Sequence, residues 1–233
     1  MYHLFITGVG TGVGKTLVTT ILCHQLRAAR RAVWAVKPVV SGFDDRDPES
    51  DPLLILRSLG VDPSPERVAS ISPWRFAAPL SPHEAARREG RRVTIDEIRW
   101  FCDRPAGTPG PSSIVLIEGA GGVMSPVAVD GTCVNLMYEI GASVLLVTGT
   151  YLGAISHTLT AISALESHEI GIDALVVSES SESVGLAATV EALRHYASRR
   201  LPILTLPRLA GSPEDRWRSA PPLIDFVPEF DHD

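Results

Sequence analysis

Short apolar runs alternate along this chain with longer stretches whose apolar positions recur every three to four residues. The runs at 2–7, 32–37, 113–117, 143–148, 172–177 and 202–205 are apolar and mostly β-branched, the pattern of strands buried on both faces. The stretches 15–29, 51–59, 82–89, 94–103, 153–167 and 183–199 read as helices. In the first of them Leu17, Ile21, Leu22 and Leu26 share one face. Strands that alternate with helices predict an α/β fold, a mostly parallel central sheet in a three-layer αβα arrangement. Two Pro/Gly-rich stretches interrupt the pattern: 104–112 reads as a surface loop and 207–222 as an irregular C-terminal segment. No independent core lies beyond either, so a single domain over 1–233 is expected.

Composition narrows the classes. With 45% hydrophobic residues in 233, the chain can bury a sizeable core, which argues against disorder. The net charge of −6 disfavours a nucleic-acid partner bound through a broad basic face. Arg87, Arg88, Arg91 and Arg92 cluster, but read as a solvated helix end and turn. Cys23, Cys102 and Cys133 form no CxxC or metal-ligand spacing, which suits a reducing compartment. The sequence opens on a strand-like run rather than a signal peptide, and no apolar run reaches the roughly 20 residues of a membrane helix. A soluble, cytoplasmic protein with no membrane partner is expected. Of 21 basic residues only Lys15 and Lys37 are lysines. A compact ammonium does what the planar arginine fork cannot, so both are functional candidates.

The first carries the clearest chemistry. Residues 2–16, YHLFITGVGTGVGKT, run from an apolar strand through a glycine-rich turn to Lys15-Thr16 and a helix. Gly8, Gly10, Gly12 and Gly14 allow the backbone to approach an anion closely. Loop N–H groups and the helix dipole then point at a phosphate. Lys15 can reach the β- and γ-phosphates, and the Thr16 hydroxyl can ligate Mg²⁺. Five residues, not four, separate Gly8 from Gly14, so this is a lengthened phosphate loop of the P-loop NTPase type.

Lys37 falls at the carboxyl end of the second predicted strand, the edge that faces the ligand crevice in open parallel sheets. Glu118 ends the run SIVLIE before a Gly-rich turn, where a magnesium ligand belongs and an uncompensated acid would be costly. The loop 43–52 carries Asp44, Asp45, Asp47, Glu49 and Asp51. One of these acids can complete a Mg²⁺ shell, and spacing alone does not choose among them.

Five motifs occur in order: the lengthened loop from Gly8 to Thr16, KPVVSG at 37–42, SPH at 81–83, EGAGG at 118–122 and LGAISH at 152–157. Together they resemble dethiobiotin synthetase across nearly the whole chain. The resemblance implies ATP-dependent ring closure of 7,8-diaminopelargonic acid with CO₂ through a carbamate and its mixed anhydride with phosphate. It implies ATP as co-substrate and Mg²⁺ as cofactor. It gives the phosphates to Gly12, Val13, Gly14, Lys15, Thr16 and Leu17, with Gly119, Ala120 and Gly121 beside them. Lys37 would bridge carbamate and γ-phosphate, Thr11 and Ser41 would hydrogen-bond the reacting groups, and Thr16, Asp51 and Glu118 would hold Mg²⁺. Ser178, Glu179, Pro207, Arg208 and Leu209 would face the base. Tyr151, Leu152 and Gly153, at a helix start, would bind the substrate carboxylate across a homodimer interface.

The match departs from the family around the base. Ser178-Glu179 stand where the family often has Asn-Asp, and Ser cannot offer the paired donor and acceptor of an amide. Gly211 stands where some members carry an acid, and Gly12 where some have Glu in the phosphate loop. CTP or another nucleoside triphosphate therefore stays open beside ATP. Two rival readings are another amide-forming P-loop ligase and a partitioning-type switch ATPase. The first usually carries a glutaminase domain, for which this chain has no room. The second carries a further lysine inside the phosphate loop, and Val9–Val13 has none.

Overall fold

The computed structural model describes residues 1–103, 110 and 113–228. Six of its strands form one sheet: β1 (Tyr2–Gly8), β2 (Val33–Val36), β5 (Ile114–Glu118), β6 (Ser143–Thr148), β7 (Ile172–Ser178) and β8 (Ile203–Leu206). Their order is β2-β5-β1-β6-β7-β8, and every pairing is parallel. All six match a predicted run to within a residue or so at each end. A second, two-stranded parallel sheet joins β3 (Val39–Ser41) and β4 (Trp74–Phe76), which the apolar pattern did not predict.

Helices cover the main sheet and complete the three-layer arrangement. α1 (Lys15–Ala28) packs on β1, β2 and β5, and α2 (Asp51–Ser58) packs on α1. Between β3 and β5 lie α3 (Pro65–Ile71), α4 (Pro82–Arg88) and α5 (Ile95–Asp103). α6 (Cys133–Ile140) lies against α5 and β1. α7 (Ala154–Ser167) packs on α8 (Leu186–Tyr196), which also meets β7 and β8, while α9 (Pro213–Ser219) rests on α1 and α2.

Two corrections follow. Residues 207–222 are not wholly irregular, since α9 lies within them. Its N-terminus is fixed by a capping box, in which the Ser212 hydroxyl accepts from the Asp215 N–H while Asp215 Oδ2 accepts from the Ser212 N–H. The predicted helix 183–199 begins later, at Leu186, because Gly185 at φ 112° lies outside helical backbone space. Of the predicted loop 104–112 only Gly110 lies among the described residues.

A continuous apolar cluster runs from Leu4 to Val227, with Leu4, Phe5, Ile6, Leu145 and Leu146 fully buried in the two central strands. The strand order reverses at β1, because β2 lies beyond β5 on one side and β6 follows on the other. A crevice at the carboxyl ends of the strands is the binding place such a switch point creates.

Candidate active site

The loop between β1 and α1 lies at that switch point. Gly12 and Gly14 take φ of 75° and 99°, backbone that a side chain would strain. A Cβ on Gly14 would also come within 2.9 Å of Ser178 Oγ, so the loop and the end of β7 touch. Val13 turns its side chain inward and is 7% exposed, leaving its backbone to the loop. Gly119 is equally constrained, because a Cβ there would meet Phe5 Cε1 at 2.7 Å.

A cleft of about 420 Å³ opens above the loop. Thr11, Gly12, Gly14, Lys15, Thr16 and Leu17 line it from the loop and α1, Lys37, Ser41 and Asp51 from the β2–α2 region, and Glu118, Ala120 and Gly121 from β5 and the turn beyond. Val40, which the sequence reading passed over, lines it too. Its place between Pro38 and Ser41 in the KPVVSG motif was the available signal.

Four ionised side chains and one hydroxyl meet at its floor. Lys37 Nζ lies 2.6 Å from Glu118 Oε1 and also pairs with Asp51 Oδ2. Thr16 Oγ1 lies 2.8 Å from both Asp51 Oδ1 and Glu118 Oε1. Lys15 Nζ donates to the Gly10 carbonyl at 2.7 Å. Lys15, Lys37 and Glu118 are buried, and two ammoniums balance two carboxylates. Burial, helped by the neighbouring Lys37, pulls Lys15 down to about 8. Burial also opposes the charge on Lys37, but Glu118 and Asp51 outweigh it and hold its ammonium above the ordinary lysine range. Burial disfavours the Asp51 carboxylate in turn, and Lys37 overrides that and keeps it below the usual range.

These residues fit a divalent cation. One hydroxyl proton cannot serve both carboxylates, so Thr16 and the two acids present converging oxygens in excess of protons. Glu118 Oε2 is buried with no hydrogen-bond partner among the described residues. A hard cation such as Mg²⁺ takes such oxygen donors. Of the five loop acids left open by spacing, Asp51 is the one in this cluster.

A family profile described as AAA domain matches residues 2–213. The ATP-dependent dethiobiotin synthetase of Methylobacterium nodulans is 44% identical over 220 residues, 92% of this chain and 97% of that protein. The protein of the same name from Phenylobacterium zucineum is 45% identical over 228 residues, 94% of this chain and 93% of its own. The chain belongs to the dethiobiotin synthetase family. Membership makes it an enzyme, a ligase that forms carbon–nitrogen bonds.

Solved structures place the fold more broadly. A ParA family ATPase from Chlorobium tepidum superposes with a TM-score of 0.55 at 12% identity, covering 98% of this chain and 94% of that one. A chain of the MinC:MinD cell division complex from Aquifex aeolicus gives 0.54 at 16%, covering 97% and 89%. At these identities the likeness is one of fold.

The remaining candidate residues of the enzyme lie around the cleft rather than in it. Ser178 is buried against Gly14. Glu179 N donates to the Leu206 carbonyl at 2.8 Å, and Arg208 N donates to Glu179 Oε2 at 3.0 Å. The end of β7 and the Pro207–Leu209 segment after β8 therefore form one shelf beside the phosphate loop. Tyr151, Leu152 and Gly153 are not brought to the cleft. They lie at the start of α7, where Leu152 is 89% exposed and Gly153 caps the helix at φ 97°. The Tyr151 hydroxyl lies 2.8 Å from His157 Nδ1. A second cavity, of about 500 Å³, lies between α7 and the phosphate loop, and His157, Thr160, Met124, Gly10 and Thr11 are among its lining residues.

Proposed function

We propose that this enzyme closes the ureido ring of dethiobiotin from 7,8-diaminopelargonic acid, CO₂ and ATP, releasing ADP and phosphate. One amine of the substrate takes up CO₂ as a carbamate. A carbamate oxygen attacks the γ-phosphorus and ADP leaves. The second amine then attacks the carbamoyl carbon, and phosphate leaves with that oxygen. The observation that carries this reading is the cluster of two lysines, two carboxylates and a hydroxyl beside the phosphate loop, in which Lys15, Lys37 and Glu118 are buried.

Each step brings anions together, and the chain answers with placed cations and donors. Lys15 and the loop N–H groups of Gly12 to Thr16, with Leu17 beside them, neutralise and orient the β- and γ-phosphates. Lys37 sets its ammonium between carbamate and γ-phosphate, and Thr11 and Ser41 hydrogen-bond the reacting groups. Thr16, Asp51 and Glu118 would hold Mg²⁺, with the Gly119–Gly121 turn closing that side; the ion supplies charge neutralisation on the phosphates. The shelf of Ser178, Glu179 and Pro207–Leu209 receives the base. Glu179 is already committed to Arg208 N and Ser178 is short, so base selection falls to backbone groups, and CTP or another triphosphate fits beside ATP.

Tyr151, Leu152 and Gly153 take the carboxylate of substrate bound to a second copy of the chain. The exposure of Leu152 and the start of α7, which no side chain among the described residues caps, support a homodimer with shared sites. The reaction belongs to the cytoplasm, in keeping with three free, buried cysteines. Among the described residues no helix is long and apolar enough to cross a membrane. The chain works as a single unit.

The test is mass spectrometry of the purified protein given 7,8-diaminopelargonate, ¹³C-bicarbonate, Mg²⁺ and ATP, CTP or GTP in turn. A labelled ring product is expected with at least one nucleotide. Its absence with all three, from protein that binds Mg²⁺-nucleotide, would overturn the reading.

A further inference from the structure

Lys37 is held by the same carboxylates that the reading above gives to magnesium. Its Nζ contacts Glu118 Oε1 at 2.6 Å and pairs with Asp51 Oδ2. Thr16 Oγ1 meets the same Glu118 oxygen at 2.8 Å, and meets Asp51 through its other oxygen, Oδ1, at 2.8 Å. Among the described residues Lys37 is the one cation paired with either acid. Lys15, the other lysine, lines the same cleft but donates to the Gly10 carbonyl and forms an ion pair with neither acid. The ammonium and a divalent ion would thus compete for one oxygen of Glu118 and for the charge of Asp51. Like charges at contact distance repel strongly in a site this buried.

We propose that Lys37 is a resident stand-in for the metal. In the nucleotide-free protein its ammonium holds Asp51 and Glu118 together. A divalent cation enters by displacing it, and the freed side chain turns into the cleft that Thr11 and Ser41 also line. The site is thereby kept assembled without metal, because neither carboxylate is left unpaired in the interior. Lys37 reaches the carbamate position only after a divalent cation has arrived, which orders the loading of the site. The proposal rests on the reading above for the identity of the metal ligands.

The experiment is a Mn²⁺ titration of nucleotide-free protein followed by electron paramagnetic resonance, on wild type, Lys37→Met and Lys15→Met. Displacement predicts that Lys37→Met binds Mn²⁺ on the order of tenfold more tightly than wild type, and that Lys15→Met gains clearly less. Folded Lys37→Met that binds Mn²⁺ no better than wild type overturns the proposal. Since that variant leaves the buried Glu118 and the partly exposed Asp51 without their cation and can fail to fold, wild type supplies a second readout. The sequence has two lysines, so amine labelling read by peptide mass spectrometry separates them without ambiguity. The labelling rate of Lys37 should rise as Mg²⁺ or Mn²⁺ alone is added. A rate that stays flat across the titration would contradict displacement. The ring-forming assay on the same preparation separates the two claims: ring product with flat labelling sinks this inference alone, and released Lys37 without ring product sinks the proposed reaction alone.

Discussion

Glu118→Gln removes one charge from the cluster while keeping the volume of the side chain. The Glu118 side chain is wholly buried, accepts from Lys37 at 2.6 Å and meets Thr16 at 2.8 Å. In the native protein two ammoniums face two carboxylates, and after the change two face one. Breaking a buried pair by removing one partner costs about 3–5 kcal/mol. The glutamine oxygen can still accept from Lys37, which places the loss near the lower end, about 3 kcal/mol. For a chain of this length that is a fall of roughly 6–12 °C in the unfolding midpoint. The assay is thermal unfolding followed by circular dichroism, without nucleotide and with chelator present. Glu84→Gln is the control: it removes arginine pairs at 2.7 and 3.3 Å that lie in solvent, and the midpoint should hardly move. Glu118→Gln melting at or above wild type would refute the reasoning. It would mean that the ion pairs do not offset the burial of Lys15, Lys37 and Glu118, and that the cluster is a net destabilising load kept for function alone.

Other changes probe separate parts of the account. Lys37→Ala should abolish ring formation while nucleotide binding, measured by calorimetry, largely persists; near-full activity would remove Lys37 from its assigned role. Gly14→Ala should lose nucleotide binding and cost roughly 1–3 kcal/mol of stability, because its φ is 99° and the added Cβ would meet Ser178 Oγ at 2.9 Å. Unchanged binding would show that the loop tolerates a side chain there. His3 gives a pH test: burial holds its pKa below the ordinary 6.5, and its buried Nε2 has no hydrogen-bond partner among the described residues. The unfolded chain therefore binds the proton first as pH falls, so stability present above about 6.5 is lost in the window below it. Denaturant unfolding at pH 7.5 and 5.5 should show that loss, and His3→Gln should shrink it.

What the sequence disclosed followed from how local each signal is. Five strands of the main sheet were legible because both faces are largely buried, which makes each a continuous apolar run, while β8, half-exposed at the sheet edge, was legible from its apolar residues alone. β3 and β4 were not, since each has three residues and is defined by its partner alone. α6 was missed although Cys133, Val134, Leu136 and Met137 are buried at helical spacing and Thr132 and Asn135 form a capping box at its start. α3 and α9 both open with Ser-Pro-Glu, an N-cap followed by proline in the first turn, so their starts were readable and were missed. The phosphate loop, Lys37 and Glu118 were each written locally by glycine spacing or by position at a strand end. Asp51 was picked from the five acids by the resemblance alone, because its place depends on the reach of α2 across α1 to Thr16, which spacing does not record. The start of α7 stays apart from the cleft within one chain, and only the resemblance tied it to the substrate.

The central claim is that this site activates a carbamate by moving a phosphoryl group onto it. The direct measurement is to run the reaction with ¹⁸O-labelled CO₂ under single-turnover conditions and weigh the released phosphate. Attack by a carbamate oxygen on the γ-phosphorus predicts one ¹⁸O atom in the phosphate for each ring closed. Ring product accompanied by unlabelled phosphate would contradict the account, because phosphate would then have left without ever being joined to the carbamate.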